Sequence, residues 1–172
     1  NSVLFKNLAG GVIRADGVTA LNVTPTVLGA IVGPNGGGLV NQGLMQATGA
    51  GGLGLVAGQI NNNGGTIEAL ANSSVTYGVG ATTLNNQAGN LVGGIWSANS
   101  LGGASATITL RGSNITTNSA DIYLTGAGSN INVAGTSIDT TLSTNNGSLR
   151  LHEGRAFTAS ANGGNFTNNG LI

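Results

Sequence analysis

Cysteine is absent from the 172 residues, which excludes a disulfide framework and any thiolate metal site. Charge is almost as scarce, at 6% of residues with a formal net charge of +0. Between Gly17 and Leu110 the only ionisable acid or base of full charge is Glu68. Binding to nucleic acid needs several Lys or Arg side chains together to neutralise phosphates, so no nucleic-acid partner is expected. Aromatic residues make up only 3%, too few for the large-ring core common in antiparallel sandwiches. The most apolar stretches, residues 27–32 and 53–57, are too short to span a bilayer, so no membrane insertion is expected.

What is abundant is glycine, 32 residues of it, together with Asn, Thr and Ser. Low charge and high glycine suit disorder, but disordered chains are poor in apolar residues. Here 40% are hydrophobic, largely Val, Ile and Leu, so the chain has a core to bury. The length fits one domain over residues 1–172. The chain opens at Asn1 without a Met and its last residues stop inside a motif, so a segment of a longer secreted protein is expected.

A degenerate repeat runs through the chain. Gly11-Val12-Ile13-Arg14-Ala15, Gly43-Leu44-Met45-Gln46-Ala47 and Gly65-Thr66-Ile67-Glu68-Ala69 each join a glycine, a β-prone segment and an alanine. Asn-rich turns precede such segments, as in Ile60-Asn61-Asn62-Asn63-Gly64-Gly65-Thr66-Ile67 and Leu84-Asn85-Asn86-Gln87-Ala88-Gly89-Asn90-Leu91. The spacing wanders from roughly twenty residues to the low thirties, as in a solenoid with variable loops. Strict polar-apolar alternation in Thr107-Ile108-Thr109-Leu110, Asp121-Ile122-Tyr123-Leu124 and Ser148-Leu149-Arg150-Leu151 marks half-buried strands. No segment keeps a helical period for three turns.

These features predict an all-β chain, a right-handed parallel β-helix of about seven or eight coils with a core of Val, Ile, Leu and Ala. Ile108, Ile122 and Ile131 are expected on successive sides of one coil. Corners need residues that tolerate positive φ, and Asn amides stacked in register can hydrogen-bond from coil to coil as ladders.

The segments Ile60-Asn61-Asn62-Asn63-Gly64-Gly65-Thr66-Ile67-Glu68-Ala69 and Leu84-Asn85-Asn86-Gln87-Ala88-Gly89-Asn90-Leu91 resemble the repeats of filamentous-haemagglutinin-like and autotransporter passenger proteins. The C-terminal Asn165-Phe166-Thr167-Asn168-Asn169-Gly170-Leu171-Ile172 is similar to them. The resemblance implies export to the extracellular side or surface of a bacterial cell and a β-helical shaft or fibre serving adhesion, aggregation or biofilm. It carries over no catalytic residues.

Candidate chemistry is thin. A pectin-lyase-like carbohydrate-active enzyme is the alternative function, and the acids nearest to coil spacing are Asp121, Asp139 and Glu153. No paired acids or aromatic platform accompany them, so they read as solvated charges and no catalytic residue is assigned. His152 and Glu153 lie between Arg150 and Arg155, but a zinc site wants three or four convergent ligands, so no metal or cofactor is expected. The glycine runs at 33–38 and 49–54 lack the Lys-Ser or Lys-Thr of a phosphate loop and read as corners. The sequons beginning at Asn22, Asn72, Asn114, Asn146 and Asn165 read as chance in so Asn-rich a chain. An ice-binding face would need Thr-x-Thr in every coil, and Thr107-Ile108-Thr109 is nearly alone. Tyr77 and Trp96 are the ligand-contact candidates, since an isolated aromatic can stack on a sugar ring, although Ile95-Trp96 lies in an apolar segment suited to the core. The expected partners are the chain itself, end to end or within a longer chain, and glycans or proteins of host or neighbouring cells.

Overall fold

The computed structural model describes residues 4–23, 38–160 and 164–172. The apolar stretch 27–32, the glycine run at 33–37 and the end of the first sequon lie outside the described residues. The chain is all-β and its three main sheets are built from parallel pairs.

The chain visits the sheets in a fixed order. β1 (Leu4–Asn7), β2 (Val12–Ala15) and β3 (Leu21–Val23) each join a different sheet, and β4 (Gly38–Asn41), β5 (Leu44–Ala47) and β6 (Leu53–Leu55) then pair in parallel with them in the same order. The next set, β7 (Gln59–Asn61), β8 (Thr66–Ala69) and β9 (Ser73–Tyr77), extends all three sheets again. A fourth pass runs through β10 (Thr82–Thr83), β11 (Asn86–Gln87), β12 (Asn90–Asn99) and β13 (Ala106–Leu110). A fifth uses β14 (Thr117–Thr125) and β15 (Ser129–Val133), and a sixth β17 (Thr144–Asn145) and β18 (Ser148–His152), before β19 (Thr167–Asn168) pairs with β17.

Parallel register puts like on like. In the second sheet Val12, Leu44, Thr66, Ile95, Asp121 and Ser148 are successive partners, and Leu171 bridges to Ser148, giving seven levels. Alternation then sends Ile13, Met45, Ile67, Trp96, Ile122 and Leu149 inward as one column, with Ala15, Ala47, Ala69 and Ala98 in another. Small residues there leave room for the larger neighbours. This is why a glycine, a β-prone pair with its second member apolar, a polar or charged residue and an alanine recur in sequence: each is one strand of one sheet.

Among the described residues antiparallel pairing is confined to two short returns, β11 on β12 and β16 (Thr136–Ser137) on β15. A single helical turn, α1 (Ile138–Thr141), follows β16; Ser137 caps it by accepting from the Asp139 N–H at 3.2 Å, and Ile138 is buried. The expected placement of Ile108, Ile122 and Ile131 on three successive sides is corrected. Ile108 and Ile131 are direct partners in the third sheet, and only Ile122 lies in the second. Proximity in sequence misled here, because β14 and β15 follow one another around a corner while β15 lies on β13.

The asparagine ladders form as expected. Asn7 Nδ2 donates to Asn41 Oδ1 at 2.8 Å, and Asn41 Nδ2 to Asn62 Oδ1 at 2.7 Å. Asn118 Nδ2 donates to Asn145 Oδ1 at 2.8 Å, and Asn145 Nδ2 to Asn168 Oδ1 at 2.7 Å. The second hydrogen of each amide goes to a carbonyl one level on, Leu44, Thr66, Ser148 and Leu171 respectively. The rises are 34, 21, 27 and 23 residues, so loop length varies while the corner chemistry does not. Asn41, Asn62, Asn118 and Asn145 are fully buried, where an unbonded amide would cost a few kcal/mol.

Candidate functional site

The outward side chains of the second sheet form a column as well ordered as the inward ones. Arg14, Gln46, Glu68, Ser97, Tyr123 and Arg150 are successive register partners. Arg14 Nε donates to Gln46 Oε1 at 2.8 Å, Gln46 Nε2 donates to the Glu68 carboxylate, and Ser97 Oγ donates to Glu68 Oε1 at 3.1 Å. Further along, the Arg150 guanidinium lies 4.9 Å from the centre of the Tyr123 ring and its Nε donates to Ser148 Oγ at 3.0 Å. A guanidinium over a tyrosine face is an attractive contact. The column sets two arginines and one glutamate among neutral polar side chains, so it presents hydrogen-bonding groups with little net charge. Such a stripe suits contact with a polar partner surface rather than attraction of an ion.

Sequence reasoning singled out none of this column, although its signal was present. The fourth position of the glycine-to-alanine repeat holds Arg14, Gln46 and Glu68, and aligning the repeats on their glycines lines those residues up.

Tyr77 and Trp96, named as candidates for ligand contact with a core place weighed for Trp96, are both fully buried. Their ring centres lie 6.4 Å apart with planes tilted by 40°, an ordinary aromatic pairing in a core. Trp96 fills the column otherwise occupied by Ile, Met and Leu, and its Nε1–H is satisfied by the Gly93 carbonyl at 3.0 Å. The Tyr77 hydroxyl is buried with no hydrogen-bond partner among the described residues, and desolvation pushes its pKa well above the ordinary phenol value. The core is therefore not only aliphatic, as the sequence suggested, but has an aromatic pair at its middle.

The three acids do not assemble. Asp121 points outward from β14 opposite Ser148, Asp139 sits in α1, and Glu153 occupies the turn after β18 with φ of 51°. Asp139 is held by Arg155, whose Nη2 lies 2.7 Å from both carboxylate oxygens while its Nε donates to the Ser129 carbonyl at 2.9 Å. Arg155 thus clamps the helical turn to the third sheet. Among the described residues no group of three or more His, Cys, Asp and Glu could hold a metal ion, and no helix is long and apolar enough to cross a membrane.

Of the glycine run at 49–54, residues 49–52 form a corner stacked on the one beneath it, while Leu53 and Gly54 already belong to β6, against the expectation of a corner throughout. A Cβ on Gly51 would meet the Thr19 carbonyl carbon at 2.2 Å, so close approach of backbones demands glycine there. On the outer face of the third sheet Thr107 and Thr109 have register neighbours: Ser74 and Thr76 on one side, Asn130 and Asn132 on the other. The Thr-x-Thr pair belongs to a short hydroxyl and amide array in which Ser74, Asn130 and Asn132 break the threonine pattern and only Thr76 continues it.

No protein-family model, curated protein or solved structure matches this chain.

Proposed function

We propose that the chain is a segment of a right-handed parallel β-helix that serves as a non-enzymatic structural or adhesive shaft on the outside of a bacterial cell. The proposal includes the kinship with filamentous-haemagglutinin-like and autotransporter passenger proteins that the Asn-rich repeats suggest. The observation that supports it best is the parallel stacking of the second sheet over seven levels, from Val12 to Leu171. At about 4.8 Å per level this is a stiff rise of roughly 29 Å. Length and stiffness are what such a segment offers, and the outward polar column adds a surface for contact with glycans, proteins or further copies of the chain.

The alternative is a carbohydrate-active enzyme. That chemistry needs two carboxyl groups facing one another across a sugar bond, and Asp121, Asp139 and Glu153 stand on separate elements with Asp139 engaged by Arg155. The test is display of the chain on a bacterial surface through a heterologous outer-membrane transporter. Clumping of cells or adherence to glycan- or protein-coated surfaces supports the shaft reading. Cleavage of a polysaccharide by the purified chain, abolished by Asp121→Ala, Asp139→Ala or Glu153→Ala, would replace it with the enzyme.

A further inference from the structure

The fourth level departs from the repeat that governs the others. Asn85 continues the line of Asn7, Asn41 and Asn62, since its Oδ1 accepts the Asn62 N–H at 2.6 Å. The chain then detours through the β11–β12 return before rejoining the second sheet. Where Met45 follows Asn41 by four residues, its counterpart Trp96 follows Asn85 by eleven. The register of β12 against β14 shifts between Val92 and Ile95, and Gly93 and Gly94 both adopt positive φ, 62° and 71°. Bulges and insertions that break a protein's own pattern concentrate at functional sites.

The detour opens a cleft of about 430 Å³ on the flank of the stack, lined by Asn61, Asn63, Leu84, Asn85, Gln87 and Val92. That volume falls in the range of small-molecule clefts, about 300 to 1,000 Å³. Its wall is fixed. Asn85 is only 2% exposed and its Nδ2 donates to the Val92 carbonyl at 2.7 Å. Asn86 ties the return to the next level by donating to the Ser113 carbonyl at 2.6 Å, and its Oδ1 accepts the Gly89 N–H at 3.1 Å. Gly93 at the cleft adopts a φ of 62°, which favours glycine, with Asn63 Oδ1 2.7 Å from where a Cβ would stand.

The lining sets the ligand class. It contains no ionisable group, so a charged ligand would be desolvated without a counter-charge. Exposed carboxamides of Asn63 and Gln87 stand at the cleft, and each can donate and accept at once, as a sugar hydroxyl does. Leu84 and Val92 add an apolar surface for the C–H face of a pyranose ring. We propose that this cleft binds a neutral saccharide, with Asn63 and Gln87 hydrogen-bonding its hydroxyls. The inference deepens the adhesive part of the function proposed above and rests on it.

The test is saturation-transfer NMR of the whole chain with cellotetraose, maltotetraose, mannotriose and triacetylchitotriose, and with tetragalacturonate as the acidic comparison. The expected result is transfer to at least one neutral sugar and none to the acid. Asn63→Ala combined with Gln87→Ala should weaken that binding at least tenfold while leaving the thermal melt unchanged, because both side chains are exposed. Silence from every neutral sugar, preference for tetragalacturonate, or binding equal in the double variant overturns the proposal. A chain that keeps its β-sheet spectrum yet binds none of these sugars defeats the saccharide site and leaves the shaft standing; a chain lacking the parallel stack defeats both.

Discussion

Replacing Asn41 with Ala removes the centre of the first amide ladder without touching the aliphatic columns. Three side-chain bonds disappear: donation to Asn62 Oδ1 at 2.7 Å, donation to the Thr66 carbonyl at 2.9 Å, and acceptance from Asn7 Nδ2 at 2.8 Å. At a net value of about 1 kcal/mol each, with an added penalty for the acceptors left unpaired in a fully buried corner, the loss comes to roughly 3–5 kcal/mol. The matched control is Asn169→Ala, whose exposed amide donates to Asn146 Oδ1 at 3.0 Å and should cost no more than about 0.5 kcal/mol. Urea denaturation followed by far-UV circular dichroism reads the difference. Hydrogen exchange at residues 38–47 reads it locally, since stacked arrays can open at one level without unfolding throughout. Asn41→Asp sharpens the test. It keeps the shape but sets a carboxyl oxygen against Asn62 Oδ1 and the Thr66 carbonyl, so the buried carboxylate is disfavoured and its folded pKa rises above the unfolded value of about 3.9. A raised pKa means that stability is greatest below the unfolded value and is lost as pH rises through the folded one. Asn41→Asp should therefore be rescued by acid relative to Asn41→Ala. An Asn41→Ala variant as stable as the Asn169→Ala control, or an Asp variant with no acid rescue, would refute the ladder as a source of stability.

Other outcomes follow from the same geometry. Tyr77→Phe deletes a buried hydroxyl that has no partner among the described residues, so its urea midpoint should be unchanged or raised, with a stability change under about 1 kcal/mol; a loss above 2 kcal/mol would reveal a bond to that hydroxyl. Gly94→Ala places a Cβ 2.2 Å from the Asn62 carbonyl oxygen at a φ of 71° and should cost more than about 2 kcal/mol by thermal melting, whereas Gly80→Ala, with positive φ but open space around it, should cost about 1 kcal/mol. Native trypsin digestion, followed by mass spectrometry, should cut at exposed Lys6 and Arg14 before Arg111, whose Nε donates to the Tyr77 carbonyl at 3.0 Å and whose N–H donates to Thr83 Oγ1 at 3.2 Å; early cleavage after Arg111 would contradict the packed third sheet.

Strand positions were legible because a half-buried strand writes its alternation directly into sequence, and parallel stacking repeats the same residue type at each level. Glycine before and alanine after the apolar centre of β2, β5 and β8 mark where backbones approach and where small side chains fill the interior. The corner amides were legible for the same reason: Asn is the residue that bonds to its own kind one level away. What stayed hidden depended on pairing between distant residues. Nothing local distinguishes Ile108 and Ile131, partners in one sheet, from Ile108 and Ile122, which are not. Trp96 could be read as a core residue from its apolar segment or as a ligand contact from its isolation, and the neighbouring alanine column, Ala69 and Ala98, shows that there is space inside for it. The cleft was hidden because the detour at 86–91 reads as one more Asn-Gly turn; its effect appears only once Asn85 is aligned with Asn62.

The central claim is that successive passes of the chain lie one above another in parallel register. With no cysteine in the sequence, spin labels can be placed at will, and Arg14, Ser97, Tyr123 and Arg150 share one outward column. Pulsed electron paramagnetic resonance on Arg14→Cys paired in turn with Ser97→Cys, Tyr123→Cys and Arg150→Cys should give mean separations of about 14, 19 and 24 Å, rising by about 4.8 Å per level. Separations that fail to increase in that order, or an Arg14 to Arg150 distance beyond about 40 Å, would contradict the stack.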